Sequence, residues 1–177
     1  ASAMSLLHSN NIIHYDLRPS NILMDDFLCP QVTDIELTKY FHPNQKTINN
    51  TAYLSPEVLN KSEYSLSSDV YAFGIIVYEI ITNEEPFKNF EPNTIKQKVI
   101  AGTRPTLNTT LPNSYKNLIE RCWSQNSSNR PSFDQIIKEL KEDPGFITEK
   151  VQKKDYSDYI LYLDQYHKLS TEKRHIK

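Results

Sequence analysis

The chain has 177 residues, room for one sizeable core plus a tail, so a single domain is expected. A net charge of −2 with 24% charged residues gives no basic or acidic surplus, which argues against a nucleic-acid partner or attraction to an anionic membrane. Cys29 and Cys122 match no zinc or redox spacing, which suits a reducing, cytoplasmic compartment.

No basic-then-apolar signal segment opens the sequence. It starts abruptly on an apolar helical phrase, Ala3, Met4 and Leu7, with no initiator Met, as expected of a fragment of a longer parent. Residues 1–10 read as the end of a helix stopped by Asn10 and Asn11. Short apolar pieces at Ile12–Ile13, Ile22–Met24 and Val32–Thr33, separated by polar turns, predict small strands. Leu37 to Asn50 is polar and aperiodic, which predicts a long loop, functional or disordered.

The second half reads as helical. A helix is predicted to begin at Ser68–Asp69. Val70, Phe73, Ile75, Val77 and Ile80 leave it apolar on most sides, which predicts full burial. Val70 to Ile81 is too short to span a bilayer and carries Glu79, so direct membrane insertion is not expected. A shorter helix is predicted over Thr94–Ile100, ending at Gly102. Tyr115, Leu118, Ile119 and Cys122 recur at helical spacing and predict a one-sided helix. Ser132 and Gln135 have capping-box spacing ahead of Ile136, Ile137 and Leu140. Asp143-Pro144-Gly145 is expected to end the compact part. Beyond it Tyr156, Tyr159, Ile160 and Leu163 are spaced for one amphipathic helix, read as packing locally or as part of a linker. Lys173-Arg174 reads as a solvated terminus.

Five phrases occur in a telling order. They are His14-Tyr15-Asp16-Leu17-Arg18-Pro19-Ser20-Asn21, Val32-Thr33-Asp34-Ile35-Glu36-Leu37, Tyr53-Leu54-Ser55-Pro56-Glu57, Ser68-Asp69-Val70-Tyr71-Ala72-Phe73-Gly74, and Cys122-Trp123 with Arg130-Pro131-Ser132-Phe133. Alone, the first is a commonplace polar turn and the second equally a strand end. Together they resemble, in order, the catalytic loop, the D-F-G segment, the A-P-E segment and the buried framework helices of eukaryotic protein kinases. The wording of the helical half is most similar to the tyrosine-kinase-like serine/threonine kinases.

The resemblance covers residues 1–142 and implies a mainly α chain. The expected fold is the C-terminal lobe of the protein kinase fold, with short β-hairpins around the catalytic and metal-binding loops, followed by a polar tail over 143–177. By resemblance, Asp16 orients the substrate hydroxyl and Arg18 sits near the transferred phosphate, where many kinases place Lys. The resemblance further implies that Asn21 and Asp34 would hold Mg2+ through oxygen, that Leu23 would form an apolar floor beneath the adenine of ATP, and that Asp34 to Glu57 would be the activation segment. His14, Glu57, Asp69 and Arg130 are the structural support. Glu57 pairs with Arg130, and Asp69 receives backbone N–H groups and the positive end of its helix.

Three departures surround the site. Tyr15 stands where the family's H-R-D motif has Arg, which weakens charge-driven ordering by a phosphorylated loop. Ile35 and Glu36 replace the Phe and Gly of D-F-G, and a Cβ at 36 resists angles that Gly tolerates. Asn49 and Asn50 replace a common Gly-Thr, with Thr51 one position away. The chain (3 Gly in all) also carries no Gly-rich loop, no strand Lys and no helix Glu partner. The resemblance therefore implies an open half-site with negligible catalysis alone and marginal solubility unless the cleft face is covered. With its missing N-lobe as partner, the parent would transfer the γ-phosphate of ATP to Ser/Thr, less readily Tyr, of protein substrates. The alternative is a pseudokinase scaffold or binding module, and a third reading is a truncated product with no role of its own. Thr38, Thr47 and Thr51 are candidate phosphosites.

Overall fold

The turn-forming asparagines set the first boundary. In a computed structural model that describes residues 1–26, 29–35, 48–108, 110–148 and 152–172, helix α1 (Ser2–Ser9) buries Met4 and ends at Asn10. Asn11 follows at φ 55°, a left-handed angle that Asn takes more readily than most residues with a Cβ. Ile12–Ile13 do not form the expected strand. Instead the Ile12 N–H bonds back to Leu7 O at 3.0 Å, so the chain folds onto the helix end rather than pairing.

The two remaining apolar pieces form one antiparallel hairpin, β1 (Ile22–Met24) with β2 (Pro30–Val32), in register Ile22–Val32, Leu23–Gln31 and Met24–Pro30. Pro30 opens its strand, where a missing N–H is tolerated. The Asp25 carboxylate ties the turn by accepting the Cys29 N–H at 2.9 Å. Thr33 lies just past β2, outside the strand. Residues 36–47, including Glu36, Thr38 and Thr47, lie outside the described residues, as do the side chains of Asn49 and Asn50. The backbone over Ile48–Tyr53 is a 3₁₀ helix, so the expected loop does not extend to Asn50.

Helix α2 (Pro56–Lys61) starts with Pro in its first turn and ends at Ser62, φ 60°. The long helix α3 (Leu66–Thr82) begins before the predicted Ser68–Asp69. Ser65 is the cap, and its N–H donates to Ser68 Oγ at 3.1 Å. Ser68 thus works inside the first turn, and two nearby serines made the boundary ambiguous. Ile80 is 71% exposed, so the burial expected on most sides fails at this helix's C-terminal end.

Helix α4 (Pro92–Ile100) starts at a Pro, ahead of the predicted Thr94, and is followed by Gly102 at φ 89°. Helix α5 (Asn113–Cys122) buries Leu118, Ile119 and Cys122, as its periodicity predicts. Helix α6 (Phe133–Glu142) has the predicted capping box. Ser132 Oγ accepts the Gln135 N–H (3.2 Å), and Gln135 Oε1 accepts the Ser132 N–H (2.8 Å). Packing continues past Asp143-Pro144-Gly145, contrary to expectation. Phe146 is 2% exposed, stacks edge-on against Tyr115 at 5.0 Å, and its carbonyl accepts the Tyr115 O–H at 2.8 Å. Helix α7 (Lys153–Glu172) follows, anchored where the Tyr156 O–H donates to Leu140 O. Tyr159, on that helix, is exposed.

Helix α3 is the axis of the lobe. Val70, Ala72 and Ile76 join one core cluster with α1, α5 and α6, while Tyr71, Ile75 and Tyr78 join a second with α4 and Trp123. Gly74 lets α3 approach α5 directly. A Cβ built there would lie 2.7 Å from Cys122 Cβ and 3.3 Å from Cys122 backbone.

Candidate active site

The site is built outward from the first turn of α3. Asp69 is 2% exposed, and a buried carboxylate needs compensation. Its Oδ2 accepts the His14 N–H at 2.8 Å and lies 2.9 Å from His8 Nε2, while Oδ1 accepts the Tyr15 N–H at 3.2 Å. The positive end of α3 adds to this. The residue that caps the helix charge therefore also fixes the turn carrying Asp16.

His14 is completely buried and ties this turn to the next. Its Nε2 lies 2.9 Å from Thr33 O, and its Nδ1 accepts the Asp16 N–H at 3.3 Å. The Thr33 N–H also donates to Asn21 O at 3.0 Å. Asp34, the next residue, is therefore held beside the 14–21 loop by ties from two directions.

Three of the predicted site residues meet on that loop. Asn21 Nδ2 donates to Asp16 O at 2.8 Å and to Asp16 Oδ2 at 3.1 Å, and Arg18 Nε lies 3.5 Å from the same Oδ2. The amide nitrogen of Asn21 is thus turned toward Asp16, which directs its Oδ1 to the other side. Asp34 is exposed and has a left-handed φ of 63°. Tyr15 is also left-handed, at φ 69°. For non-Gly residues such angles cost on the order of 1–3 kcal/mol each and persist only where neighbours over-determine them. Leu23 stands on β1 with 57% exposure, as does Met24.

Glu57 and Arg130 form a bidentate pair away from these loops, at 2.6 Å (Nη1–Oε1) and 2.9 Å (Nη2–Oε2). The guanidinium also donates to Ser67 O and Ser124 O, each at 3.0 Å, and lies over the Tyr71 ring. Burial alone would raise the Glu57 carboxyl. The hydrogen bonds and charge of Arg130 outweigh it and hold the group below its ordinary value. The pair fastens the start of α2 to the start of α3.

Several contacts carried no signal in the sequence. His8 reaches Asp69 from α1, 61 positions away. Tyr53 donates to Glu79 Oε2 at 2.8 Å. Burial and then the Glu79 carboxylate push its phenol well above the ordinary range. Tyr64 lies against Tyr15, ring centroids 5.1 Å apart. A small cavity between the 14–21 loop and α2 is bounded by Tyr15, Asp16, Tyr53, Leu54 and Tyr64. Only pairings across the fold, invisible to local periodicity, reveal these.

A helical lobe in which one buried carboxylate holds the turn carrying Asp16, and in which His14 and Asn21 tie the turn carrying Asp34 to that loop, is the C-terminal lobe of a protein kinase domain. The chain belongs to the protein tyrosine and serine/threonine kinase family, whose sequence model matches residues 1–140. It is 36% identical over 160 residues to a probable LIM domain-containing serine/threonine-protein kinase of Dictyostelium discoideum, covering 87% of this chain and 16% of that protein. A dual specificity protein kinase of the same organism is 34% identical over 144 residues (77% of this chain, 22% of that one). A protein kinase and PP2C-like domain-containing protein of Arabidopsis thaliana is 30% identical over 180 residues (80% and 27%). The chain thus spans about a sixth to a quarter of these relatives' lengths. Among the described residues no helix is long and apolar enough to cross a membrane.

Proposed function

We propose that this chain, joined to an ATP-binding lobe, transfers the γ-phosphate of ATP to Ser or Thr hydroxyls of protein substrates. Residues 1–142 would be the kinase lobe and 143–177 an appended tail whose first turn packs Phe146 back into the lobe's core, in an intracellular protein close to the tyrosine-kinase-like group. The carrying observation is the double tie at Asp69 and His14, which holds the Asp16 turn and the Thr33–Asp34 turn together.

The donor set suits magnesium with a nucleotide. Mg2+ prefers oxygen and is commonly bound by one or two side chains plus substrate phosphates. Asn21 Oδ1, which accepts the Ser20 hydroxyl at 3.3 Å, and the Asp34 carboxylate are the oxygens that would hold it. When held there, the ion would supply positive charge against the phosphates. Asp16, oriented through Oδ2 by Asn21 and Arg18, accepts the hydroxyl proton of the substrate. Arg18 places a fixed positive charge beside that carboxylate, where the transferred group passes. Leu23 would lie under the adenine. Serine/threonine wording in the relatives' names supports the substrate class, and the dual specificity relative keeps Tyr as the lesser acceptor.

In the two-lobed protein, Asp16→Asn should lower turnover by about 100-fold to 10,000-fold with the fold intact. Unchanged turnover would remove Asp16 from this role. The second reading is a nucleotide-binding scaffold. It is favoured by an intact framework (Glu57–Arg130 and Asp69) beside substitutions at Tyr15 and Glu36. Stabilisation by Mg-ATP in a thermal-shift titration, with no phosphate transferred, would establish the second reading over the first.

A further inference from the structure

Tyr15 immediately precedes Asp16, and at its left-handed φ of 69° the chain turns from the His14 and Tyr15 N–H groups held by Asp69 into Asp16. A bulky side chain does not hold that angle by itself. Its ring, 40% exposed, lies against Tyr64 in the loop between α2 and α3, at 5.1 Å and a tilt of 49°. The Tyr64 phenol is pushed up by burial first and then by the Asp16 charge. Both tyrosines border the small cavity beside Asp16. The contact joins the 14–21 loop to the α2–α3 loop through the two rings.

We propose that Tyr64 is a positioning residue: its ring latches Tyr15 and so keeps the Asp16 turn ordered without a phosphate on the activation segment. An aromatic pair supplies attraction that depends on neither charge nor modification. The latch rests on the kinase reading only for its consequence, namely phosphate-independent readiness of Asp16. The order itself is a property of this chain.

The test is hydrogen–deuterium exchange over residues 12–17 in the 177-residue chain after phosphatase treatment. The wild type should show protection there, and Tyr64→Ala should speed exchange about threefold to tenfold, the effect of losing one aromatic pair. Tyr64→Phe should restore it, because the ring and not the hydroxyl makes the contact. Should Tyr64→Ala loosen α3 as well, Tyr15→Asn carries the test: it keeps a residue suited to φ > 0 and removes only a half-exposed ring. Tyr15→Asn should reproduce the local increase with α3 unchanged. No protection in the dephosphorylated wild type, unchanged exchange in Tyr15→Asn, or Phe as damaging as Ala would each overturn the latch. Absence of phosphate transfer in the two-lobed protein would count against the kinase reading and leave these exchange results standing.

Discussion

Arg130→Ala should be among the most damaging single changes in this lobe. Its guanidinium side chain is 0% exposed while that of Glu57 is 19% exposed, so truncation removes a wholly buried cation and strands a partly wetted anion. Two charge-assisted bonds are lost, together with the donors to Ser67 O and Ser124 O and the stack on Tyr71. Breaking a buried pair costs about 3–5 kcal/mol. Partial hydration of the stranded Glu57 places the expectation at the lower end, about 3 kcal/mol. Urea unfolding reads this directly. With a slope of about 2 kcal/mol/M the midpoint should fall by about 1–2 M and the slope should stay constant. Because the folded-state pKa of Glu57 is depressed, its contribution is full above the unfolded carboxyl pKa of about 4.3 and is lost as pH falls from there through the folded value. The gap between wild type and Arg130→Ala should therefore be complete near neutrality and narrow in acid. A loss below about 1 kcal/mol at neutral pH would show that the pair is solvated, against the reasoning.

Gly74→Ala should cost about 1–3 kcal/mol, since the new Cβ would meet Cys122 Cβ at 2.7 Å, and a thermal melt no lower than wild type would contradict that close approach. Tyr71 has a buried hydroxyl with no hydrogen-bond partner among the described residues, and its ring contacts both Arg104 and Arg130. Tyr71→Phe keeps both ring contacts, so stability should be unchanged or up to about 1 kcal/mol higher; a loss above that would mean the hydroxyl is bonded. Burial pushes this phenol up to about 12, so wild-type stability is full below pH 10, the ordinary value, and declines as pH rises toward 12. Tyr71→Phe should lessen that alkaline decline.

Much of the framework was readable because its signals are local. The spacing of Tyr115 to Cys122 and the Ser132–Gln135 box each give a boundary from a few adjacent residues. The ordered motifs were enough to pair Glu57 with Arg130 across 73 positions, but only by resemblance. Local signals failed where burial is decided by what lies opposite. Ile80 continues the apolar pattern of α3 yet meets solvent, and Phe146 follows a turn phrase yet fills the core. Ile12–Ile13 had strand composition but no strand to pair with. Within the site, the resemblance named Arg18 and Asn21 along with Asp16, and both side chains lie against Asp16. The left-handed angles at Tyr15 and Asp34, and the ring of Tyr64, depend on the assembled lobe, and no short window of sequence encodes them.

One carboxylate, Asp69, holds the end of α1 and the His14 N–H through the same oxygen, Oδ2, and the Tyr15 N–H through Oδ1. A shift of α1 along its axis cannot be absorbed without disturbing that grip. The first helix is thus mechanically coupled to the loop that carries Asp16, and a force or binding event on it would be felt there with no change in the loop's own sequence.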